Sequence, residues 1–296
     1  MKKILLLSAF FIGMISIHAQ DDAAAADEAP KEGWTRFGNV SFLFNQSSFE
    51  NWTAGGINNI SGTVGLNYDF NYKKGGIVWD NKIIASYGIT KIEDADKQKT
   101  DDRLEFTSLV GKQASEFWYY SAFLNFRTQM DSGFDADTGA KITHFFSPAF
   151  LQVGPGMLWK KSDNLKVNIA PATAKMIFVN DQFTAVPVGA ESAFNNAGGY
   201  FGVEANETFR FELGFALGGY YKVNLMENVS MENILNLYSN YLEDPQNVDI
   251  DYTMNLVMTI NKYLSANLAF QTIYDDNAFK GFQTRQVFGL GVNYGF

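Results

Sequence analysis

The chain of 296 residues contains no cysteine. Disulfides and thiolate metal sites are thereby excluded, and so is a lipid-modified amino terminus, which needs a cysteine to carry the lipid. Histidine is nearly as scarce, with two residues. A hydrolase built on histidine needs nucleophile, base and orienting group within hydrogen-bond reach. His18 lies in the leader described below, which leaves His144 beside Phe145 and Phe146, a setting for an interface residue rather than a base. Beyond the amino terminus no apolar run approaches the roughly 20 residues of a spanning helix. Residence in a membrane would therefore have to be as a closed sheet, the other structure that satisfies its backbone in lipid. Basic clusters are lacking as well: Lys and Arg number 23 against 32 Asp and Glu, for a net charge of -9. That balance argues against nucleic acid, since phosphate binding needs clustered cations.

Lys2 and Lys3, the apolar run Ile4–Ile17 and the small Ala19 read as a secretory signal peptide over residues 1–19, cut before Gln20. The run is too short for a membrane anchor, and no basic stop-transfer cluster follows. Removing both lysines takes the net charge from -9 to -11. Residues 20–33 (QDDAAAADEAPKEG) are acidic, Ala-rich and free of aromatics, and read as a periplasmic tail. Residues 34–296 read as an all-β transmembrane antiparallel barrel in the outer membrane.

Period-two alternation carries that reading. From Phe288 the chain sets Phe288, Leu290, Val292, Tyr294 and Phe296 against Gly289, Gly291, Asn293 and Gly295. This looks like a closing barrel strand, and the aromatic Phe296 resembles the signal by which such barrels are recognised for assembly. Alternation and turn residues together predict about twelve strands, with ten or fourteen as alternatives. They run 36–47, 57–73, 76–90, 101–112, 116–129, 146–159, 164–178, 207–223, 229–241, 247–260, 262–275 and 282–296. Connections after even strands are short and polar, as at 73–76 and 160–164. Those after odd strands are mostly longer, notably 130–143 and 180–204. Short periplasmic turns alternating with longer extracellular loops have this rhythm.

Charge placement sharpens the prediction. A Lys or Arg on the lipid face at mid-membrane costs roughly 2–4 kcal/mol, so charges within a strand should share the lumen parity. Asp80 with Lys82, Arg103 with Glu105, Arg210 with Glu212, and Asp249 with Asp251 do so. With Arg127, Glu232 and Arg285 they make the expected lumen set, either a solute path or a structural network. Aromatic residues such as Tyr68, Phe70, Tyr72, Trp118, Trp159 and Tyr294 fall where the periplasmic interface is expected. In the seventh strand Lys166 and Lys175 have opposite parity with Pro171 between them, which predicts a bulge or kink.

Ordered segments add a likeness. Phe49-Glu-Asn-Trp-Thr-Ala-Gly-Gly56, Asp80-Asn, Thr100-Asp-Asp-Arg103, Trp118-Tyr-Tyr-Ser-Ala122, Ser147-Pro148, Phe178-Val-Asn-Asp-Gln182, Ser239-Asn-Tyr-Leu242 and Asn261-Lys-Tyr-Leu-Ser-Ala266 carry it. Together they resemble an uncharacterised outer-membrane barrel family of Bacteroidota, catalogued as a domain of unknown function. The resemblance spans Trp34 to about Asp276. It implies an outer-membrane barrel from that phylum and brings no catalytic residues.

Other chemistry is weaker. The carboxylates Asp94, Asp96, Asp101, Asp102, Asp131, Asp135, Asp137, Asp275 and Asp276 read as solvated loop charge. The Asp131–Asp137 spacing lacks a full calcium-loop pattern, so no metal and no cofactor are expected. Trp52 before Gly55 and Gly56 reads as part of a tight turn. The expected partners are outer-membrane lipid, lipopolysaccharide and the barrel assembly machinery. Bulky inward residues such as Tyr119, Phe123 and Tyr238 argue for a filled interior. The favoured function is a structural or accessory subunit of a larger envelope complex serving secretion, barrel assembly or nutrient uptake, and not an enzyme. A narrow channel or transporter for a small solute is the alternative, and an outer-membrane hydrolase a distant third.

Overall fold

The structure, a computed structural model, describes residues 32–48, 57–135 and 138–295. Twelve strands form one closed antiparallel barrel in which each pairs with its neighbours in the sequence. They are β1 (Gly33–Ser47), β2 (Asn59–Lys74), β3 (Ile77–Ile92), β4 (Gln98–Gln113), β5 (Trp118–Thr128), β8 (Ala149–Ser162), β9 (Leu165–Phe178), β10 (Phe209–Met226), β11 (Val229–Asn240), β12 (Val248–Thr259), β13 (Leu264–Asp275) and β14 (Phe279–Gly295). The number and order are those expected from alternation. β14 closes on β1 along a seam from Asn39↔Gly295 to Phe44↔Leu290. No helix among the described residues is long and apolar enough to cross a membrane. The expected leader, residues 20–31 of the expected tail, the Trp52 turn, Asp137 and Phe296 lie outside the described residues, whereas Gly33, assigned to the tail, begins β1.

Differences from expectation fall at ends and loops. The sixth barrel strand begins at Ala149 rather than 146, because His144 and Ser147 close a tight bridge before it. The long connection between β5 and β8 holds a small hairpin, β6 (Gly133–Phe134) with β7 (Lys141–Thr143), that alternation does not reveal. Between β9 and β10 the chain forms a 3-10 turn over Asp181–Phe183 and the short helix α1, Glu191–Asn196.

The bulge predicted around Pro171 is present. Against β10, Gly214 faces Thr173 while Ala216 faces Ala170, so Pro171 and Ala172 oppose one residue. Against β8 the register shifts over the same stretch. Proline has no N–H to give the ladder, and the extra residue reverses the parity of everything beyond it. Gly156 faces this irregular stretch, and a Cβ there would collide with the Ile169 carbonyl.

The outward face of the strands is apolar, and on several of them it is exposed. Phe211, Phe288, Leu290 and Val292 are 49%, 61%, 61% and 52% exposed, far beyond what a monomer in water normally leaves contiguous. At the end with the short turns, Trp34 packs against Tyr72 and Trp79 with ring centroids 5.3 and 5.6 Å apart, and Trp118 pairs across to Trp159. An apolar band edged by such rings is the surface a bilayer requires of a barrel. Phe288, opposite Leu268 midway along its strand, tests that orientation. Phe288→Lys is expected to destabilise the protein in lipid vesicles by about 2–4 kcal/mol, read by equilibrium denaturant unfolding. A neutral effect would mean that this face does not meet hydrocarbon.

Candidate functional site

Residues paired across adjacent strands share a face of the sheet, and in a closed barrel the face opposite the apolar band encloses the lumen. The charged residues of that face meet partners on strands that are not their neighbours. Going round the ring, β3 and β11 are six places apart out of twelve, diametrically opposed. Yet Lys82 on β3 donates to Glu232 on β11 at 3.1 Å. Only inward-pointing side chains can make such a pair.

Near the short turns the network has two anionic centres. Asp80 accepts from Lys160 of β8 at 3.0 Å and from Lys166 of β9 at 2.6 Å. Glu232 is held by Lys82, by the Tyr220 hydroxyl at 2.9 Å and by the Asn255 amide at 3.2 Å. Asp69 lies 3.9 Å from the Lys82 ammonium.

Nearer the loops, Arg127 of β5 donates to Asp251 of β12 at 2.6 Å, and Gln271 donates to the other oxygen of Asp251. Arg103 pairs with Glu105, which also accepts from Asn125. Arg285 of β14 reaches across to Asp101 of β4. Lys175, 5% exposed, lies 2.9 Å from Asp249, 3.4 Å from Glu212 and 3.8 Å from Asp275. Arg210 joins Glu212 at 2.8 Å to Glu243 at 2.6 Å.

All eleven charges singled out from the sequence thus sit in this network. Reading by parity overlooks several of their partners. Lys175 is hidden by the bulge, which turns Lys166 and Lys175 to the same side although their positions have opposite parity. Lys160 lies in the run Lys160-Lys-Ser-Asp-Asn164, whose composition is that of a turn. Asp101, at the very start of the predicted fourth strand, reads with the neighbouring loop carboxylates, whereas β4 begins at Gln98 and carries it within the wall.

The connection between β9 and β10 closes over this lumen. Phe201 packs edge-on to Phe150 at 6.0 Å, and Phe150 faces Arg127 across the β5–β8 pair. The Arg127 guanidinium lies 5.1 Å over the same ring. Gly202, at φ +76, offers its carbonyl to Arg210 at 2.8 Å, and a Cβ there would crowd the guanidinium. Val203 is fully buried against Ile177 and Val179. Tyr200 stacks on Phe183 at 4.8 Å and donates to the Ile142 carbonyl at 2.7 Å, tying this connection to the small hairpin.

The loop carboxylates mostly serve as local caps. Asp102 accepts the Met130 and Asp131 amides and pairs with Lys99. Asp131 accepts from the Tyr87 hydroxyl, which holds its carboxyl below the usual range. Asp135 caps Thr138. His144 packs at a tilt against Phe183, ring centroids 5.5 Å apart, with Nδ1 against the Phe145 carbonyl, so its ring is engaged in packing.

A family described as "Protein of unknown function (DUF3078)" has a model that matches residues 44–134. The match is to a domain of unknown function, in keeping with the resemblance read from the sequence, and falls on the first part of the barrel. No curated protein matches the chain in sequence. Among solved structures, the translocator domain of the autotransporter NalP from Neisseria meningitidis is similar at 10% identity and TM-score 0.42, covering 90% of each chain. An outer-membrane channel from Pseudomonas putida F1 is similar at 11% identity and TM-score 0.40, covering 93% of this chain and 99% of that one. The outer-membrane channel DcaP of Acinetobacter baumannii follows at 10% and 0.30, covering 89% and 96%. The barrel's closure rests on its own strand pairing rather than on these likenesses.

Two outcomes test the site. Removing one member of a buried ion pair leaves an uncompensated charge, so Asp80→Asn, which strands Lys166 and leaves Lys160 with the exposed Asp163 alone, is expected to cost about 3 kcal/mol. Denaturant unfolding in lipid vesicles measures it, and an unchanged midpoint would mean that both lysines are already solvated. The second concerns Tyr200, whose burial pushes its phenol up to about 12. Below the ordinary phenol range near 10, open and closed forms of the connection are both neutral and the contact is fully present. As pH rises from there toward 12, the open form loses its proton first, so closure weakens. Ultraviolet titration against Tyr200→Phe should assign one ionisation near pH 12 to this residue, with protease cleavage between residues 180 and 204 increasing over the same interval. Ionisation of Tyr200 near 10 would contradict the packing.

Proposed function

We propose that this barrel resides in the outer membrane as a structural or accessory subunit of a larger envelope assembly, with a lumen that conducts nothing. One observation carries the proposal: ion pairs at both levels join strands four to six places apart around the ring. A permeating solute would have to part these pairs and displace the packed Phe150–Phe201 contact. Twelve strands lie between eight-stranded barrels, which side chains fill, and sixteen-stranded pores, which hold water. Toward the short turns the inward charges are spent on one another, with Asp80 and Glu232 each held by more than one donor, so no free set of them lines a solute path there. Binding capacity is then left to the outer wall, the loops and the acidic residues that precede the barrel. Lipid and lipopolysaccharide would surround the wall, and the barrel assembly machinery would insert it.

Recovery from native outer membranes tests the assembly. A tagged, full-length chain extracted in gentle detergent is expected to retain a partner protein in stoichiometric amount through size-exclusion chromatography. Elution as a lone monomer from wild-type membranes, at native expression level, would contradict the proposal.

A further inference from the structure

At the loop end of the barrel, six carboxylates share one region with two cations. Glu212, Glu243, Asp244, Asp249 and Asp276 border a cavity there, and Asp275 adjoins Asp249 and Asp276. The cations are Lys175 and Arg210. Arg210 is fully engaged by Glu212, Glu243 and the Gly202 carbonyl. Lys175 is divided among Asp249, Glu212 and Asp275. Asp276, half-buried, makes no hydrogen bond or ion pair among the described residues. The region therefore holds several negative charges in excess, at separations where like charges repel strongly outside bulk water.

Carboxylate oxygens of Asp249, Asp275 and Asp276 all lie within 4.8 Å of one another. A second, independent observation points to a ligand. Among the described residues, Oε2 of Glu212 and the hydroxyl of Tyr238 are buried without a hydrogen-bond partner. Glu212 is 1% exposed and borders the same cavity, while Tyr238, 4% exposed, lies with its ring 4.9 Å from Lys175. The Lys175 ammonium at 3.4 Å from Glu212 is too distant for a good charge-assisted bond. A buried oxygen left in this way calls for a water or an ion beside it.

We propose that Asp249, Asp275 and Asp276, with Glu212 behind them, bind one hard divalent cation of the calcium class. Calcium takes six to eight oxygens at about 2.3–2.6 Å in a flexible geometry, so two of its ligand oxygens lie up to about 5 Å apart. The three clustered carboxylates meet that limit, and Asn277 and water are at hand to complete the shell. Asp249 begins β12, whereas Asp275 and Asp276 form the tight turn from β13 to β14, so the ion would fasten three strand ends together. Spacing along the sequence conceals this set, because Asp249 meets the Asp275–Asp276 pair only through strand pairing.

The test uses the full chain folded in detergent free of lipopolysaccharide. Equilibrium dialysis with radioactive calcium measures binding, and thermal unfolding with and without calcium measures its effect on the fold. Wild type is expected to hold one ion per chain and to gain several degrees in Tm. Asp276→Asn removes no protein contact, so it should fold like wild type without calcium. It should lose about tenfold or more in calcium affinity, together with the gain in Tm. Asp94→Asn, in a separate exposed turn, should behave as wild type. Failure of wild type to retain calcium at millimolar concentration, full affinity in Asp276→Asn, or equal loss in Asp94→Asn would each overturn the site.

Discussion

The constraint that organises this protein is that its charged residues have one place to go. A strand whose outer face is exposed and apolar must turn its charges to the opposite side. Closing twelve such strands brings those charges into one narrow space, where each must find a countercharge or remain costly to bury. The countercharge is seldom on the next strand: Lys82 reaches the opposite wall for Glu232, Arg285 crosses to Asp101, and Asp80 draws in Lys160 and Lys166. The same pairs that make the interior tolerable also fill it.

Function follows from what this leaves over. At the turn end the charges are matched, and Asp80 and Glu232 are each held by more than one donor. At the loop end the balance fails, and carboxylates outnumber cations around Glu212 and Asp249. Above them the connection from β9 to β10 seats Phe201 and Gly202 against lumen residues. Under the proposed function, a barrel that is matched at one end, acidic at the other and covered by its own chain serves as a body to be docked against. The surfaces it offers are its wall and its loops.

Much of the wall was legible in the sequence. The period-two alternation in β10 and β14 directly encodes two faces, and charge parity identified Asp80, Lys82, Arg210 and Glu212 because a lipid-facing charge is so unfavourable. Pro171 marked the bulge, yet its consequence for Lys175 required the register of both neighbouring strands. Lys160 and Asp101 escaped because their neighbourhoods have turn and loop composition. The fold of the 179–208 connection was not legible at all. It depends on contacts of Tyr200 and Phe201 with Phe183 and Phe150, distant in sequence and without periodicity. The grouping of Asp249 with Asp275 and Asp276 is likewise a product of strand pairing.

The central claim is that charges meeting across the lumen leave no continuous aqueous path through the barrel. Single-molecule electrical recording of the purified, refolded protein in a planar lipid bilayer tests it most directly. The account predicts a silent membrane across a wide voltage range, with insertion confirmed independently. Stable, discrete and ohmic conductance steps from wild-type protein would contradict it.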